Sequence, residues 1–303
     1  MVPYPNMFPT LFSIGKLSVS SFGVFLSLGF IFGVFLIWRL SRAWDLDEDK
    51  ILDLTLLTFV GGLLGARIYF GISHLSEFAP SPLKIIFFTK YPGFSFWGGF
   101  LGGWLTLFYF ARRQRRDFWQ IADIASVGFL GGLILSDIGC FLGGCGAGSV
   151  TKSIFGVPMV GLTSKRWPVQ LFEAVLLILV LKNIWGKATH FHQTGKIVSL
   201  CLILIGLIKL ILEPLRSVSD GGYIFPLTLI FLGVTIFYRV TKGSIILDAK
   251  SFLKFISNRQ LVLVTFKKNW YNQTTSFLWR LRNFKKLLER LHVKFSLKNN
   301  RIS

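Results

Sequence analysis

Residues 19–38 read VSSFGVFLSLGFIFGVFLIW, twenty positions without one ionisable side chain. A helix rises 1.5 Å per residue, so a run of this length reaches across about 30 Å, the thickness of a bilayer's hydrocarbon core. Six more runs with few charges follow, at residues 51–71, 94–111, 121–142, 169–184, 197–212 and 222–238. A soluble fold has no interior large enough to hide so many apolar helices. Composition agrees: 52% of the 303 residues are hydrophobic and 16% charged, against about 25% charged in ordinary globular chains. The expected fold is all-α, a polytopic membrane protein of about seven transmembrane helices. Residues 1–15 lack Lys and Arg, and the apolar run after Lys16 exceeds the roughly 7–15 residues of a cleaved signal core, so the first run is expected to remain as a span.

Lys and Arg in short loops set orientation, because cytoplasmic flanks carry them in excess. Arg39, Arg42 and Lys50 lie between the first two runs, Arg112, Arg113, Arg115 and Arg116 between the third and fourth, and Lys182 at the end of the fifth with Lys187 and Lys196 between it and the sixth. Alternate loops are poorer, with Lys84 and Lys90 in one of them. The amino terminus is therefore expected outside and the carboxyl terminus in the cytoplasm. From Arg239 to Ser303 there are fifteen Lys or Arg against Asp248 and Glu289, and this segment supplies most of the formal net charge of +20. Phe277, Leu281, Phe284, Leu288 and Leu291 have helical spacing within it. Following a membrane span, such a segment reads as an amphipathic helix on anionic membrane lipid and not as a nucleic-acid arm. The chain thus divides into a transmembrane domain, 1–240, and a basic cytoplasmic tail, 241–303.

Ionisable groups inside apolar runs are informative, since each costs about 2.5–3.5 kcal/mol at a helix centre unless it finds a partner or water. Arg67 sits late in the second run and Asp137 in the fourth; Arg166, Gln170 and Glu173 open the fifth; Lys209, Glu213 and Arg216 close the sixth. The last three are spaced i, i+4 and i+7, one polar stripe if the helix continues through them. By the expected topology these residues gather toward the outer half of the membrane, although they come from four runs. Four cations against three acids suit an anionic head group, with carboxylates orienting the guanidinium groups. Buried ion pairs that only set helix register are the plainer alternative.

Glycines crowd three runs, at Gly61, Gly62 and Gly65, at Gly98, Gly99, Gly102 and Gly103, and at Gly128, Gly131 and Gly132. Small residues let membrane helices approach closely. Of three cysteines, Cys201 reads as core packing, while Cys140 and Cys145 stay open between a disulfide, a soft-metal ligand pair, a transient acyl carrier and plain structural thiols. Two cysteines without a nearby histidine make a poor metal set, so no metal is expected.

Four blocks, residues 65–67 (GAR), 93–99 (GFSFWGG), 166–174 (RWPVQLFEA) and 213–216 (EPLR) followed by Asp220, together resemble the prolipoprotein diacylglyceryl transferase family. Gly65-Ala66-Arg67 is similar to its G-A-R, residues 93–99 (GFSFWGG) to G-x-S-F-H-G-G, residues 166–174 (RWPVQLFEA) to R-H-P-S-Q-L-Y-E-A, and Glu213-Pro214-Leu215-Arg216 followed by Asp220 to E-F-F-R-x-P-D. Residues 137–144 (DIGCFLGG) stand where the family reads R-I-G-N-F-I-N-G. The likeness runs to about residue 240 and leaves out the tail. It implies a bacterial inner-membrane enzyme that moves diacylglyceryl from phosphatidylglycerol to the lipobox cysteine thiol of a pre-prolipoprotein, without cofactor or metal. The alternative is an altered relative that binds phosphatidylglycerol or the lipoprotein precursor without that chemistry. Trp97 stands at the family's histidine, Asp137 at its signature arginine, Cys140 at its asparagine, Lys209 at an arginine and Phe22 at a tyrosine. The resemblance then implies Arg67, Arg166, Lys209 and Arg216 on the lipid head group, Gln170, Glu173 and Glu213 as orienting residues, and Gly98–Gly99 as the glycine motif; Glu173 is also a catalytic candidate, and Asp137, a departure from the family, is the one plausible new base in the signature.

Overall fold

The computed structural model describes residues 10–14, 17–79, 81–86, 93–115, 117–159, 164–190, 192–217 and 222–243, together with Thr275 and Arg282. The reading of the tail as an amphipathic helix, and Asp220, lie outside them. Residues 1–242 form one compact unit and the segment from Gly243 onward a second.

A short hairpin of β1 (Thr10–Ile14) and β2 (Leu17–Ser20) leads into α1 (Ser21–Ala43), whose amino end is capped by the Ser20 hydroxyl accepting from the Gly23 N–H. Then come α2 (Glu48–Ser73), the one-turn α3 (Leu75–Phe78), a 3-10 turn at Pro82–Ile85, α4 (Phe96–Arg113) and α5 (Phe118–Gly143). A second small hairpin, β3 (Val157–Pro158) with β4 (Lys165–Arg166), precedes α6 (Val169–Ala188), α7 (Lys196–Leu212), a 3-10 turn at Glu213–Leu215 and α8 (Ile224–Thr241). Six of these helices, α1, α2, α5, α6, α7 and α8, are long and apolar enough to cross a bilayer. The seventh, α4, is 18 residues long, is diluted by four glycines and ends on Arg112 and Arg113.

Only 17–39% of each span's most apolar stretch is buried within the protein. Outward-facing residues such as Ile31, Leu64, Val175, Leu179, Ile211 and Phe231 are more than half exposed, which suits lipid and no aqueous setting. The chain is an all-α multi-pass membrane protein.

Glycine sets how closely the helices approach. A Cβ on Gly102 of α4 would lie 2.9 Å from the Gly65 Cα of α2, and one on Gly33 of α1 would lie 2.8 Å from the Gly128 carbonyl of α5. Gly206 of α7 and Gly233 of α8 serve the third close pair in the same way. Lipid offers helices no hydrophobic drive toward one another, so such backbone contact supplies the dispersion energy that holds them.

At one end of the bundle, Asp123 near the start of α5 is wholly buried; its carboxylate accepts from the Gly195 and Val198 N–H groups, each at 2.7 Å. It thereby caps the amino terminus of α7, where Gly195 has no side chain to do so. His192 Nε2 lies 3.6 Å from the same carboxylate. Trp44 Nε1 donates to the Ala188 carbonyl at 2.9 Å and ties the ends of α1 and α6 there.

Candidate functional site

Pro168 precedes α6, and the first turn of that helix carries Gln170 and Glu173 on one face, three residues apart. Glu173 is 2% exposed. Lys209 Nζ donates to its Oε1 at 2.5 Å, and Arg216 Nη2 donates to its Oε2. One buried carboxylate thus holds two cations that come from the end of α7 and the segment beyond it.

The predicted helical stripe differs in how it is built. Pro214 has no N–H to continue the helix, α7 stops at Leu212, and the chain leaves a 3-10 turn with Arg216 extended at φ −83° and ψ 146°. The backbone of Arg216 then pairs antiparallel with Gly148. Lys209 and Arg216 reach Glu173 from a helix and from a strand-like segment, instead of from two turns of a single rod. Glu213 lies between them, its Oε2 3.9 Å from Arg216 Nε.

Asp137, near the end of α5, lies within electrostatic reach of Glu173, Lys209 and Arg216. Arg166 donates through Nη1 to the Gly148 carbonyl at 3.1 Å, so the two arginines share one glycine, one through its carbonyl and the other through backbone pairing. The Gln170 amide donates to the carbonyls of Cys145 and Gly146, the second at 2.8 Å. Its observed partners are therefore loop backbone atoms. Cys140 and Cys145 are joined as a disulfide, whereas Cys201 is free and buried. Among the described residues no group of three or more His, Cys, Asp or Glu has the arrangement of a metal site.

Buried polar atoms without a hydrogen-bond partner concentrate here. Among the described residues they are Asp137 Oδ2, Arg166 Nε, Gln170 Oε1, Glu213 Oε1 and Arg216 Nε, with Thr58 Oγ1 elsewhere. Folded proteins leave few such atoms unpaired. Five residues selected from sequence therefore share both a location and an unmet capacity for polar contact, and the set includes donors as well as acceptors.

Arg67 occupies a different setting on α2. Its Nε donates to the Ile85 carbonyl at 2.6 Å and its Nη1 to the Gly93 carbonyl at 2.8 Å, and its guanidinium lies within 5.8 Å of the ring centres of Phe70, Phe78 and Phe94. These bonds hold the connection into α4, where Ser95 N–H also donates to the Ala66 carbonyl at 3.1 Å. Gly98 packs against the Gly65 carbonyl, and a Cβ added to Gly99 would meet the Ala66 methyl at an ordinary 3.4 Å.

The anchored segment carries Trp97, whose ring meets Phe225 of α8 edge to face at 4.7 Å. Lys209 Nζ stands 5.8 Å from the same Phe225 ring. A chain of contacts thus runs from Trp97 through Phe225 to Lys209 and Glu173, while Arg67 holds the segment that leads to Trp97. Sequence reasoning misses Phe225, Gly148 and Asp123. Phe225 is one apolar residue among many and Gly148 acts through its backbone; Asp123, an acid inside an apolar run, is the one with a legible signal.

Relatives have the same extent as this bundle. The phosphatidylglycerol–prolipoprotein diacylglyceryl transferase of Clostridium tetani is 25% identical over 71% of this chain and 88% of its own length. The protein of the same name from Legionella pneumophila strain Paris is 30% identical over 72% of this chain and 86% of its own; that from Rickettsia africae is 31% identical over 64% and 76%. The family model for prolipoprotein diacylglyceryl transferase matches residues 9–241, from the first hairpin to the last turn of α8. With the matched region taking in all seven long helices and every charged residue of the cluster, the chain belongs to the prolipoprotein diacylglyceryl transferase family.

Proposed function

We propose that this protein transfers diacylglyceryl from phosphatidylglycerol to the lipobox cysteine thiol of a pre-prolipoprotein and releases glycerol phosphate. The observation that carries the reading is the convergence of Lys209 and Arg216 on Glu173, surrounded by unpaired buried atoms of Asp137, Arg166, Glu213 and Arg216.

The reaction makes one carbon–sulfur bond and breaks one carbon–oxygen bond, with no change of redox state. In this reading Asp137 takes the thiol proton, the thiolate attacks the glyceryl carbon bonded to the phosphate oxygen, and the electron pair leaves with glycerol phosphate. The phosphate meets Lys209, Arg166 and Arg216, preoriented by Glu173 and by the Gly148 carbonyl, so charge developing on the leaving group finds donors already in place. Arg67 adds positive charge from α2 and holds the segment bearing Trp97. Glu213 and Gln170 orient these groups. Trp97 and Phe225 form an apolar wall beside Lys209 that limits water around the phosphate. Operation in the bacterial inner membrane, with residues 1–240 as the transferase and the tail from 241 on anionic lipid, belongs to the same proposal.

The test is thioether formation on a lipobox peptide in vesicles containing phosphatidylglycerol, with Asp137→Asn alongside the wild type. Proton removal by Asp137 requires that the variant lose at least about a hundredfold in rate, the scale of general-base catalysis. An unchanged rate removes Asp137 from that role. The residues at the family's histidine and signature-arginine positions, Trp97 and Asp137, favour one second reading, a relative that binds phosphatidylglycerol or the precursor without transferring. Wild-type protein that binds the lipid but yields no thioether identifies that case.

A further inference from the structure

We infer that the Cys140–Cys145 disulfide is a positioning clamp for the transfer reaction: it ties the end of α5 to the strand that sets Arg166 and Arg216. The inference rests on the function proposed above.

Helix α5 ends on Gly144 in the left-handed conformation, φ 79°, a turn that glycine makes without steric cost. The chain then doubles back, with Cys145 N–H donating to the Cys140 carbonyl at 3.0 Å, and the disulfide closes the same loop covalently. Cys140 is three residues beyond Asp137, so the anchored sulfur lies one helical turn from that carboxylate on a shared face. From Cys145 the backbone continues as a strand-like segment that forms isolated antiparallel bridges on both sides, Gly148 with Arg216 and Val150 with Arg166. Ser149 N–H donates to the Leu215 carbonyl at 2.8 Å and Ser217 N–H to the Ala147 carbonyl at 3.3 Å, which fixes the backbone around Arg216. On its other edge Trp167 N–H donates to the Ser149 carbonyl at 3.2 Å and Thr151 N–H to the Lys165 carbonyl at 2.9 Å, which fixes the backbone around Arg166.

Cys145 and Gly146 are exposed, and Gly146 has φ +64°. Burial therefore does not hold the first residues of the strand. Gln170 holds their carbonyls from α6 and the disulfide holds them from α5. With the sulfurs separated, the start of this segment keeps only the Gln170 amide and the single Cys145 N–H bond to the Cys140 carbonyl as ties to the helices, and both arginines gain freedom to shift relative to Glu173 and Asp137. A displacement near 1 Å at a reacting centre costs up to about a hundredfold in rate.

The experiment uses the full chain in phosphatidylglycerol vesicles, as wild type, as Cys140→Ser/Cys145→Ser, and as wild type treated with a phosphine reductant. Hydrogen exchange at the Ser149 and Ser217 amides is read first, because it requires no activity. About a tenfold faster exchange there in the variant and in the reduced protein, with the α1 and α5 amides around Gly33 and Gly128 unchanged, is expected. Transfer by the variant is expected to fall about tenfold to a hundredfold in kcat, with KM for phosphatidylglycerol changed less. Unchanged exchange at Ser149 and Ser217 overturns the clamp whatever the activity. Faster exchange with kcat unchanged overturns the positioning role. A wild type that transfers nothing defeats the proposed function, and the clamp is then judged on exchange alone. Should the double variant fail to fold, the reduced wild type supplies the same comparisons.

Discussion

Replacing Glu173 by leucine removes the one carboxylate, among the described residues, that both Lys209 and Arg216 touch. The glutamate side chain is 3% exposed, that of Lys209 17% and that of Arg216 25%. Removing one partner of a buried ion pair leaves an uncompensated charge and costs about 3–5 kcal/mol. Partial exposure of the cations moves the figure toward about 3 kcal/mol, since each regains some solvent. Glu173→Gln keeps the shape and accepts one hydrogen bond, so about 1.5–3 kcal/mol is expected, the value of a bond to a charged group. The informative variant changes all three residues, Glu173→Leu with Lys209→Met and Arg216→Met. Apolar replacement of a buried ionic triad is near neutral or stabilising, so stability returns to within about 1 kcal/mol of wild type while transfer and phosphatidylglycerol binding are lost. Denaturant titration of detergent-solubilised protein, followed by circular dichroism, reads the stabilities; vesicle assays read binding and transfer. Glu173→Leu losing less than about 1 kcal/mol, or a triple variant that still binds the lipid, refutes the idea that Glu173 holds cations meant for a phosphate.

Asp123→Ala leaves one buried and one part-buried N–H group at the α7 terminus without their carboxylate acceptor; a loss of about 2–4 kcal/mol is expected, with Asp123→Asn intermediate, read from denaturant midpoints. Gly65→Ala places a methyl 2.8 Å from the Gly102 Cα and should cost about 1–3 kcal/mol as α2 and α4 separate. Gly186→Ala, where nothing lies within 4 Å of the new methyl, should stabilise by about 0.5–1 kcal/mol by the same measurement. Equal effects of the two glycine changes would contradict close backbone packing as the cause.

Hydropathy alone determines the bilayer and the series of apolar helices, and it singles out the charged residues that need partners there, because a span must satisfy its own backbone and a charge within it needs a reason. Lys209, Glu213, Arg216, Asp137 and Glu173 stand out in sequence as ionisable groups within or beside apolar runs, and they do converge. Periodicity supplies no partners. It reads Lys209 and Arg216 as one stripe, whereas Pro214 breaks the helix and a strand pairing returns Arg216 to Glu173. It groups Arg67 with the other cations, yet the folded chain directs that guanidinium onto the Ile85 and Gly93 carbonyls. It leaves Cys140 and Cys145 among several fates, of which the turn at Gly144 selects the disulfide by bringing residue 145 back over residue 140. Those outcomes depend on where donors and acceptors from distant segments meet, and a hydrogen bond acts over about 3 Å. Only the packed helices and the loops they anchor fix distances on that scale.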